Sequence, residues 1–514
     1  MWRLCVISSK NNRRAYLTAT LSILPVLLLL AACQSSQQPT ASVAITPTRT
    51  ATVSTAAATR STRVFTPTPQ PVTATTCKGS GCFTPTPTHT PTATPTSSLG
   101  AETADLRGIT LQFWYIAQAG DAVGVLPALV SEFNKSNSWG MRVEIVAFDS
   151  PGLLTERVRN TLYSGKLPDV LAGYSYQVTS WDKNARTLVD LNTYLDDFVW
   201  GLSAEDQGDF YPSFWQQASP GKRLGIPLHR TALGLYYNLT WAKELGYTKP
   251  PKTSQEFEKQ ACAAAKENGD GTGGWMITSD TSTLVGWMYA FGGSLANPDG
   301  KGYRIDTPEN LKALTFLKGL QTQGCAWMTT GLYPHAEFAE RRGLFMIGST
   351  AGLASQSAAF QTAGTSDQWT VIPFAEETNS SAPFISPVVL AHGQDLMITS
   401  TTPERQLAAW LFARWLISPE VQSRWARADG SIPLRAATLG LLSDYAKAHP
   451  QWNSLVGSLD KIRSEPTYAS WEIVRWVISD AAAQLFSSTF TADDIPDLLK
   501  MLEKTAAEAH IQVR

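Results

Sequence analysis

The stretch that decides the fold is Gly225-Ile-Pro-Leu-His-Arg-Thr-Ala-Leu-Gly-Leu-Tyr-Tyr-Asn238. Pro227 fixes its own φ and disfavours the helical basin for Ile226, so the segment begins as extended chain. Its second half is rich in aliphatic and aromatic residues, which favour a strand. The stretch is therefore predicted to run through the protein as a strand.

Helix signals follow this strand directly. Thr240 is a candidate N-cap for a helix that starts at Trp241, and Gly246 can end that helix. The run Thr253-Ser-Gln-Glu256 has the pattern of a capping box and opens a second helix, which Gly269 is expected to stop. The strand thus leads into helical chain.

Strands and helices also alternate before the decisive stretch. The predicted elements are a strand at 109–115, a helix at 125–135, a strand at 141–148, a helix at 153–164 and a strand that begins at 167. This alternation is typical of βαβ units. The sequence therefore predicts an α/β fold.

The residues around the strand also resemble a known family. The runs Gly-Ile-Pro…Leu-Tyr-Tyr-Asn, Trp-Ala-Lys-Glu-Leu-Gly-Tyr and Pro-Pro-Lys-Thr-Ser-Gln-Glu-Phe resemble the hinge of family 1 extracellular solute-binding proteins, the maltose-binding-protein-like receptors of ABC importers. Further segments follow in the family's order, at 287–293, 338–346, 369–374 and 429–435. Considered alone, the first stretch also fits a strand-helix connection inside an ordinary α/β domain.

The resemblance implies two Rossmann-like lobes joined by a hinge, the type II periplasmic-binding-protein fold. Lobe 1 is expected to hold residues 105–230 and 375–428, and lobe 2 residues 231–374 and 429–514. The decisive strand is then the first crossing between lobes. Residues 369–374 are expected to form the returning crossing, and 429–435 the third.

The N-terminus predicts export. Residues 1–32 read as a lipoprotein signal peptide, with a basic start, an apolar run at 21–30 and a lipobox-like Leu30-Ala-Ala-Cys33. The apolar run is too short for a retained membrane span, and Asn-Arg-Arg-Ala-Tyr-Leu loosely resembles a twin-arginine signal, so the export route stays open. We expect lipid on Cys33 to anchor the protein to the outer face of the cytoplasmic membrane.

A polar tract separates this anchor from the folded region. Residues 33–104 are rich in Thr, Pro, Ala and Ser, and such a composition buries too little apolar surface to fold. They are predicted to form a disordered tether. Over the whole chain, 42 Lys and Arg nearly balance 43 Asp and Glu, which gives no basic field for nucleic acid.

The six cysteines fit an exported protein. Cys5 is expected to leave with the signal peptide. Cys77 and Cys82 flank a flexible loop that can close a small disulfide, and Cys262 and Cys325 are a candidate bridge in the folded region, with two buried free thiols as the alternative. A Cys-x4-Cys pair without further ligands is a poor zinc site, so no metal is expected.

Catalytic motifs were sought without a match. The six His are scattered singly, and Gly348-Ser-Thr-Ala-Gly352 has Thr where a nucleophile elbow needs Ser. The sequence therefore favours a binding protein without a cofactor. A carbohydrate-active enzyme such as a secreted glycosidase is the alternative, and a surface adhesin is a third class.

The resemblance implies a small-molecule solute held between the lobes of a monomer and delivered to the permease of an ABC transporter. The 17 Trp supply flat surfaces that suit the apolar faces of sugars, so the expected solute is a carbohydrate, in particular an oligosaccharide. The family's contact positions fall here on Tyr115, Gln118, Asp121, Tyr174, Tyr176 and Gln177 in lobe 1, on His229, Arg230 and Thr231 at the cleft floor, and on Trp287, Ser349 and Trp471 in lobe 2. Trp471 is expected to stack on the sugar, with core packing as the alternative for both Trp residues and a hinge role as the alternative for His229.

Overall fold

The computed structural model of the protein describes residues 97–117, 123–162, 164, 167–182, 187–215, 221–377 and 388–513. The predicted signal peptide, the lipidated Cys33, the Cys77 and Cys82 loop, and the candidate site residues Gln118 and Asp121 lie outside these residues.

Two β-sheets form the framework of the described chain. The strands are β1 (Thr110–Ile116), β2 (Arg142–Phe148), β3 (Val170–Tyr174), β4 (Ile226–Pro227), β5 (Thr231–Asn238), β6 (Gly273–Ile277), β7 (Ala326–Met328), β8 (Gly343–Ser349), β9 (Trp369–Ile372), β10 (Val389–His392), β11 (Gln394–Ile398) and β12 (Ile462–Ser464). The first sheet has the order β2-β1-β3-β11-β4. The second has the order β12-β10-β5-β8-β6-β7, with β9 paired to β5.

Helices connect and cover these strands. They are α1 (Val125–Ser136), α2 (Pro151–Leu162), α3 (Ser175–Asp182), α4 (Asn192–Leu195), α5 (Ala204–Gly208), α6 (Leu239–Glu244), α7 (Ser254–Asn268), α8 (Thr281–Ala290), α9 (Pro308–Thr322), α10 (His335–Ala339), α11 (Leu353–Thr362), α12 (Pro403–Leu416), α13 (Pro419–Asp429), α14 (Ala436–Gly440), α15 (Ser443–Ala448), α16 (Pro450–Val456), α17 (Trp471–Leu485) and α18 (Ile495–Val513). Within the described ranges, no helix combines the length and the apolar character needed to cross a membrane.

The decisive stretch links the two sheets, as the sequence predicts. Its first part is β4, which pairs with β11 in the first sheet. Its second part is β5, which lies inside the second sheet between β8 and β10 and also pairs with β9. The change of sheet occurs at residues 228–230, where Pro227 ends the first pairing and Thr231 begins the second.

The returning crossing lies about twenty residues after the predicted one at 369–374. The segment Trp369–Ile372 is β9 of the second sheet, and β10 belongs to that sheet too. The prediction that placed Val389–His392 in lobe 1 is therefore wrong. The chain changes sheet at Gly393, between β10 and β11. A Cβ on Gly393 would lie 1.8 Å from the carbonyl oxygen of His229, so glycine is needed where the two crossings touch.

Polar contacts tie the three connections together. The backbone N–H of Ile432, in the predicted third connection, donates to the carbonyl oxygen of Arg230 at 2.9 Å. The His229 ring pairs with Asp429, with 2.8 Å between Nε2 and Oδ2, and both side chains are buried. The crossings therefore form one hydrogen-bonded unit at the base of the two sheets.

The ordered chain begins earlier than the predicted tether boundary at 104. Leu99, Ala101 and Leu106 are buried in the core beside the first sheet. Ser97 Oγ and Ser98 N–H donate to Oδ2 of Asp197 at 3.0 and 2.9 Å. The compositional prediction missed this end because its few apolar residues are buried by contacts with distant chain.

The helix signals after β5 were partly correct. The N-cap of α6 is Asn238 and not Thr240, because the Asn238 side chain accepts from the N–H of Trp241 while Thr240 Oγ1 accepts from the N–H of Gln368. The capping box of α7, in which Thr253 and Glu256 satisfy each other's backbone, is confirmed, and so is Gly269 at its end. A polar residue at the end of a strand can thus cap the next helix.

The predicted bridge between Cys262 and Cys325 is confirmed. Cys262 lies in α7 and Cys325 precedes β7, and their Cα atoms are 4.3 Å apart in the disulfide. The bridge fastens α7 to the edge strand of the second sheet, with the bonded residues 63 positions apart in sequence.

Replacing both cysteines by serine is expected to lower the free energy of unfolding by about 2–4 kcal/mol, because the bridge restricts the unfolded chain over a long loop. Urea denaturation of the double variant measures this change. Wild-type protein in reductant should unfold like the variant. Equal stability of oxidised, reduced and variant protein would contradict a structural role for the bridge.

Candidate functional site

A cavity of about 200 Å³ lies where both sheets meet the crossings. Most of its lining comes from three parts of the chain: the end of β3 with the start of α3, the crossing segments, and residues 464–467 with Arg475 of α17. Pro151, Ser213 and Phe214 complete it. The lining residues with polar or aromatic side chains include Tyr174, Ser175, Tyr176, Arg230, His392, Asp395, Glu465, Thr467 and Arg475. Both halves of the molecule therefore contribute to one site.

A buried ion pair forms the cavity floor. The Arg230 guanidinium bonds to the Asp395 carboxylate and donates to the carbonyl oxygens of His229 and Gln394 at 3.0 and 2.7 Å. Ser175 Oγ donates to the other carboxylate oxygen of Asp395 at 2.6 Å. Both oxygens of Asp395 are thus satisfied, and the pair joins the first crossing to the returning one.

A second ion pair lies on the opposite side. The Arg475 guanidinium bonds to Oε2 of Glu465, and the indole N–H of Trp471 donates to the same oxygen at 2.8 Å. Burial alone would raise the pKa of Glu465, but His392 and Arg475 hold it below its ordinary value. Glu465 is therefore a carboxylate at neutral pH.

His392 completes this side of the cavity. Its Nε2 lies 3.3 Å from Oγ of Ser282 and 3.3 Å from Oε1 of Glu465. Burial lowers the pKa of His392, against the opposing attraction of Glu465. The imidazole is thus neutral at neutral pH, and Arg475 supplies the positive charge that balances Glu465.

Two tyrosines form an aromatic wall. The rings of Tyr174 and Tyr176 are 5.7 Å apart and nearly parallel, at 9°. Burial raises the pKa of both phenols. Beside this wall, Thr179 Oγ1 donates to the carbonyl oxygen of Thr467 at 3.0 Å, so α3 contacts segment 464–467 across the site.

The site suits the binding of a small polar molecule. It offers flat aromatic surface together with hydroxyl, carboxylate and guanidinium groups in fixed positions, the combination typical of ligand pockets. Among the described residues, no cluster of three or more His, Cys, Asp or Glu is placed to hold a metal ion.

Sequence comparison establishes the family. The sequence profile of the family described as bacterial extracellular solute-binding protein matches residues 128–451, more than half of the 514 residues. The chain belongs to this family. The solute-binding protein is also 27% identical over 343 residues to a "Probable ABC transporter-binding protein" of Deinococcus radiodurans, an alignment that covers 61% of this chain and 79% of the relative.

Solved structures share the fold of the solute-binding protein. The sugar-binding protein MalE from Xanthomonas citri superposes with a TM-score of 0.67 at 18% identity, over 78% of this chain and 98% of that one. The cyclic alpha-maltosyl-1,6-maltose binding protein from Arthrobacter globiformis gives 0.65 at 18% identity, over 78% and 99%. At these identities the similarity establishes the fold, so the predicted two-lobed type II architecture is confirmed.

Three of the residues predicted to bind solute line the cavity: Tyr174, Tyr176 and Arg230. Gln177 lies directly behind them. Its side chain accepts from the N–H of Tyr174 at 2.8 Å and donates to Thr155 Oγ1 at 2.8 Å, so it fixes the aromatic wall from inside the protein.

Four other predicted contacts of the solute-binding protein do not line the cavity. Tyr115 is buried against Phe113, with ring centroids 5.7 Å apart. Thr231 and Ser349 are half-buried at the ends of β5 and β8, which pair with each other. His229 is a buried hinge residue, because Asp429 holds its ring between the first and third connections.

Trp287 packs in the core and does not line the cavity. It is fully buried on α8, with ring centroids 4.9 Å from Phe257, 5.7 Å from Trp275 and 5.7 Å from Phe374. All ten residues of α8 are buried, and none of them lines the cavity.

Trp471 is also buried, at 0% exposure, so it does not form the expected sugar platform. Its ring stacks on Tyr303 at 6.1 Å, and its indole N–H holds Oε2 of Glu465. The residue that sequence selected for direct contact therefore positions a cavity carboxylate.

Sequence reasoning missed several cavity residues, among them Ser175, His392, Asp395, Glu465 and Arg475. His392 and Asp395 flank the returning crossing, which the sequence placed too early. The Gly393 between them was the available signal, since an isolated glycine between two strand patterns marks close backbone approach. Glu465 and Arg475 carry no local motif.

Proposed function

We propose that this solute-binding protein captures a carbohydrate, such as an oligosaccharide, between its lobes and delivers it to the permease of an ABC importer. The observation that carries the proposal is the composition of the cavity: parallel aromatic rings beside charge-paired polar groups, at the point where both sheets meet the crossings. Sugars present apolar C–H faces and a rim of hydroxyls, which match such surfaces.

Hinge closure is the proposed binding mechanism. Within the described chain, the backbone connections between the lobes form a small unit tied by Arg230, Asp395, His229 and Asp429. Beside this unit, α3 also contacts segment 464–467 through Thr179 and Thr467. A solute that contacts α3 on one side and segment 464–467 on the other favours the closed arrangement, because only that arrangement offers both sets of contacts. The permease then recognises the closed form.

Proteins similar to this chain support both parts of the proposal, the carbohydrate as solute and the ABC transporter as partner. The Deinococcus radiodurans relative is named as an ABC transporter-binding protein. Solved structures with the same fold include maltose-bound MalE3 of T. maritima, the sugar-binding protein MalE of Xanthomonas citri and the cyclic alpha-maltosyl-1,6-maltose binding protein of Arthrobacter globiformis. The cavity volume of about 200 Å³ is smaller than the roughly 300–1,000 Å³ of drug-sized sites, so it suits a small sugar or one end of a longer one.

Binding without bond cleavage is favoured over the glycosidase alternative. A glycosidase needs one carboxyl group with a raised pKa as general acid. Here the pKa of Glu465 is lowered, and both oxygens of Asp395 are engaged by Arg230 and Ser175. We infer that Glu465 does not act as a general acid. Burial raises the pKa of Glu472, but this residue is not part of the cavity lining.

The N-terminal residues bear on where the protein is located in the cell. Membership of an extracellular family fits an exported protein. We propose that lipid on Cys33 anchors the monomer to the outer face of the cytoplasmic membrane, and that the Thr/Pro-rich tract lets the receptor reach its permease.

Thermal unfolding in the presence of maltose, maltotriose, D-glucose, D-galactose, ribitol, a dipeptide and a sugar phosphate tests this function. A bound sugar at about 100 times its Kd should stabilise the protein by roughly 2.7 kcal/mol. Stabilisation by the dipeptide alone would overturn the carbohydrate proposal. Release of glucose from maltotriose on incubation would favour the glycosidase instead.

A further inference from the structure

A glutamate of lobe 2 is half-buried against lobe 1. Glu472 is the second residue of α17, whose residues Trp471 and Val474 pack in the core of the second sheet. The Glu472 carboxylate is hydrogen-bonded to the side chain of Thr155, which lies on α2 beside the first sheet. This contact therefore crosses from one lobe to the other.

Hydrogen bonds connect the contact to the wall of the cavity. Thr155 Oγ1 accepts from the side-chain amide of Gln177 at 2.8 Å, which leaves its own hydrogen to be donated to Glu472. Gln177 in turn accepts from the N–H of Tyr174 at 2.8 Å, and Tyr174 lines the cavity. The carboxylate is thus linked to the aromatic wall that faces the solute site.

The charged and titratable groups around Glu472 lie on three helices. Arg159 of α2 attracts the carboxylate. On α3, burial and then the charge of Glu472 raise the pKa of the Tyr176 phenol. Arg475 of α17 is already bonded to Glu465. Burial raises the pKa of Glu472 and outweighs the attraction of Arg159.

We propose that Glu472 couples closure of the lobes to the uptake of a proton, so that the receptor holds its solute more tightly in acidic than in neutral surroundings. This coupling rests on the proposed hinge closure and gives the pH regulation of the same site. In the open arrangement α2 and α17 separate, and water reaches the carboxylate. In the closed arrangement the carboxylate is buried against α2, where its neutral form is favoured.

The direction of the effect follows from linkage. The closed form, in which the pKa of Glu472 is higher, binds the proton more tightly. Because solute favours the closed form, its affinity rises as the pH falls through the raised pKa and levels off below the ordinary pKa of glutamate. His392 opposes this effect, because burial lowers its pKa and disfavours proton binding. The comparison of wild type with a variant at position 472 isolates the contribution of Glu472.

The first experiment titrates wild type and Glu472→Gln calorimetrically with maltose and maltotriose at about pH 7.5 and about pH 4.5, on either side of the expected transition. Glutamine keeps an acceptor for Thr155 but cannot ionise. The variant should bind about 3- to 10-fold more tightly than wild type at the higher pH and within about 2-fold of it at the lower. An affinity ratio that is the same at both pH values would overturn the inference.

Two further variants complete the experiment. Glu132→Gln removes the carboxylate of an exposed ion pair with Arg424 and should bind as wild type at both pH values. Arg159→Gln removes an exposed cation that favours the charged form of Glu472, so it should weaken binding about 2-fold at neutral pH and leave it unchanged in acid. An equal loss at both pH values would contradict the coupling. Because Arg159 is exposed, this variant decides the question if Glu472→Gln does not fold.

The outcomes separate this inference from the function on which it rests. If wild type binds either sugar but the ratio to Glu472→Gln does not change with pH, the carbohydrate function stands and the role of Glu472 is rejected. If wild type binds no sugar at either pH, the proposed function fails and the inference falls with it.

Discussion

Replacing Arg230 by alanine is expected to lower the free energy of unfolding by about 3–5 kcal/mol, because it leaves a buried carboxylate without its cation. The side chains of Arg230 and Asp395 are only 8% and 11% exposed. The substitution also removes the donor to the carbonyl oxygens of His229 and Gln394, which lie on the two crossings. Chemical denaturation monitored by tryptophan fluorescence measures the loss.

A matched control separates burial from the mere presence of an ion pair. Arg424 pairs with Glu132, and both side chains are 45% exposed, so Arg424→Ala should lower the free energy of unfolding by less than about 1 kcal/mol. The double variant Arg230→Met with Asp395→Leu should lose less than Arg230→Ala, because no charge is left unpaired. Equal losses for Arg230→Ala and Arg424→Ala would show that the buried pair has no special role.

The first crossing could be predicted because its signals are local. Pro227 sets the backbone of the residues beside it, and Thr253 and Glu256 form a capping box within four positions. Recognition of Arg230 as a cavity residue followed from its place in this segment. Local chemistry and family resemblance agreed there, and the structure agrees with both.

The returning crossing could not be read in the same way. Whether Trp369–Ile372 changes sheet or stays depends on its pairing with β5, more than 130 positions earlier in the chain, and no residue of the segment specifies that partner. A crossing at 369–374 would leave His392 and Asp395 outside the hinge, so neither was a predicted site residue. Glu465 and Arg475 were missed for a related reason, since only the folded chain brings them beside residues of β3 and α3.

Amino-acid composition could not tell which tryptophans contact solute and which pack in the core. A large aromatic residue at a helix start fits both a cleft and a core, and only burial distinguishes them. Trp471 and Trp287 are core residues, whereas Trp476, five residues further along α17, is 72% exposed. At these two positions Trp serves core packing and not solute binding. The aromatic wall of the cavity is formed by Tyr174 and Tyr176.

Trp471→Ala should lower the free energy of unfolding by about 3–5 kcal/mol, through the loss of buried ring contacts and the cavity left behind. Trp476→Ala on the same helix should change it by no more than about 0.5 kcal/mol, since that ring is mostly in solvent. Thermal and urea unfolding of the two variants give the comparison. Similar small losses in both would mean that Trp471 is not the core residue that its burial indicates.

Trp471→Phe divides the two roles of the residue. Phenylalanine keeps most of the apolar contact with Tyr303 but removes the indole N–H that holds Oε2 of Glu465. We expect a loss of stability smaller than in Trp471→Ala, together with weaker binding of the sugar that stabilises wild-type protein, because Glu465 is then positioned by Arg475 alone. If Trp471→Phe binds that sugar as tightly as wild type, Arg475 suffices to orient the carboxylate and Trp471 contributes stability only.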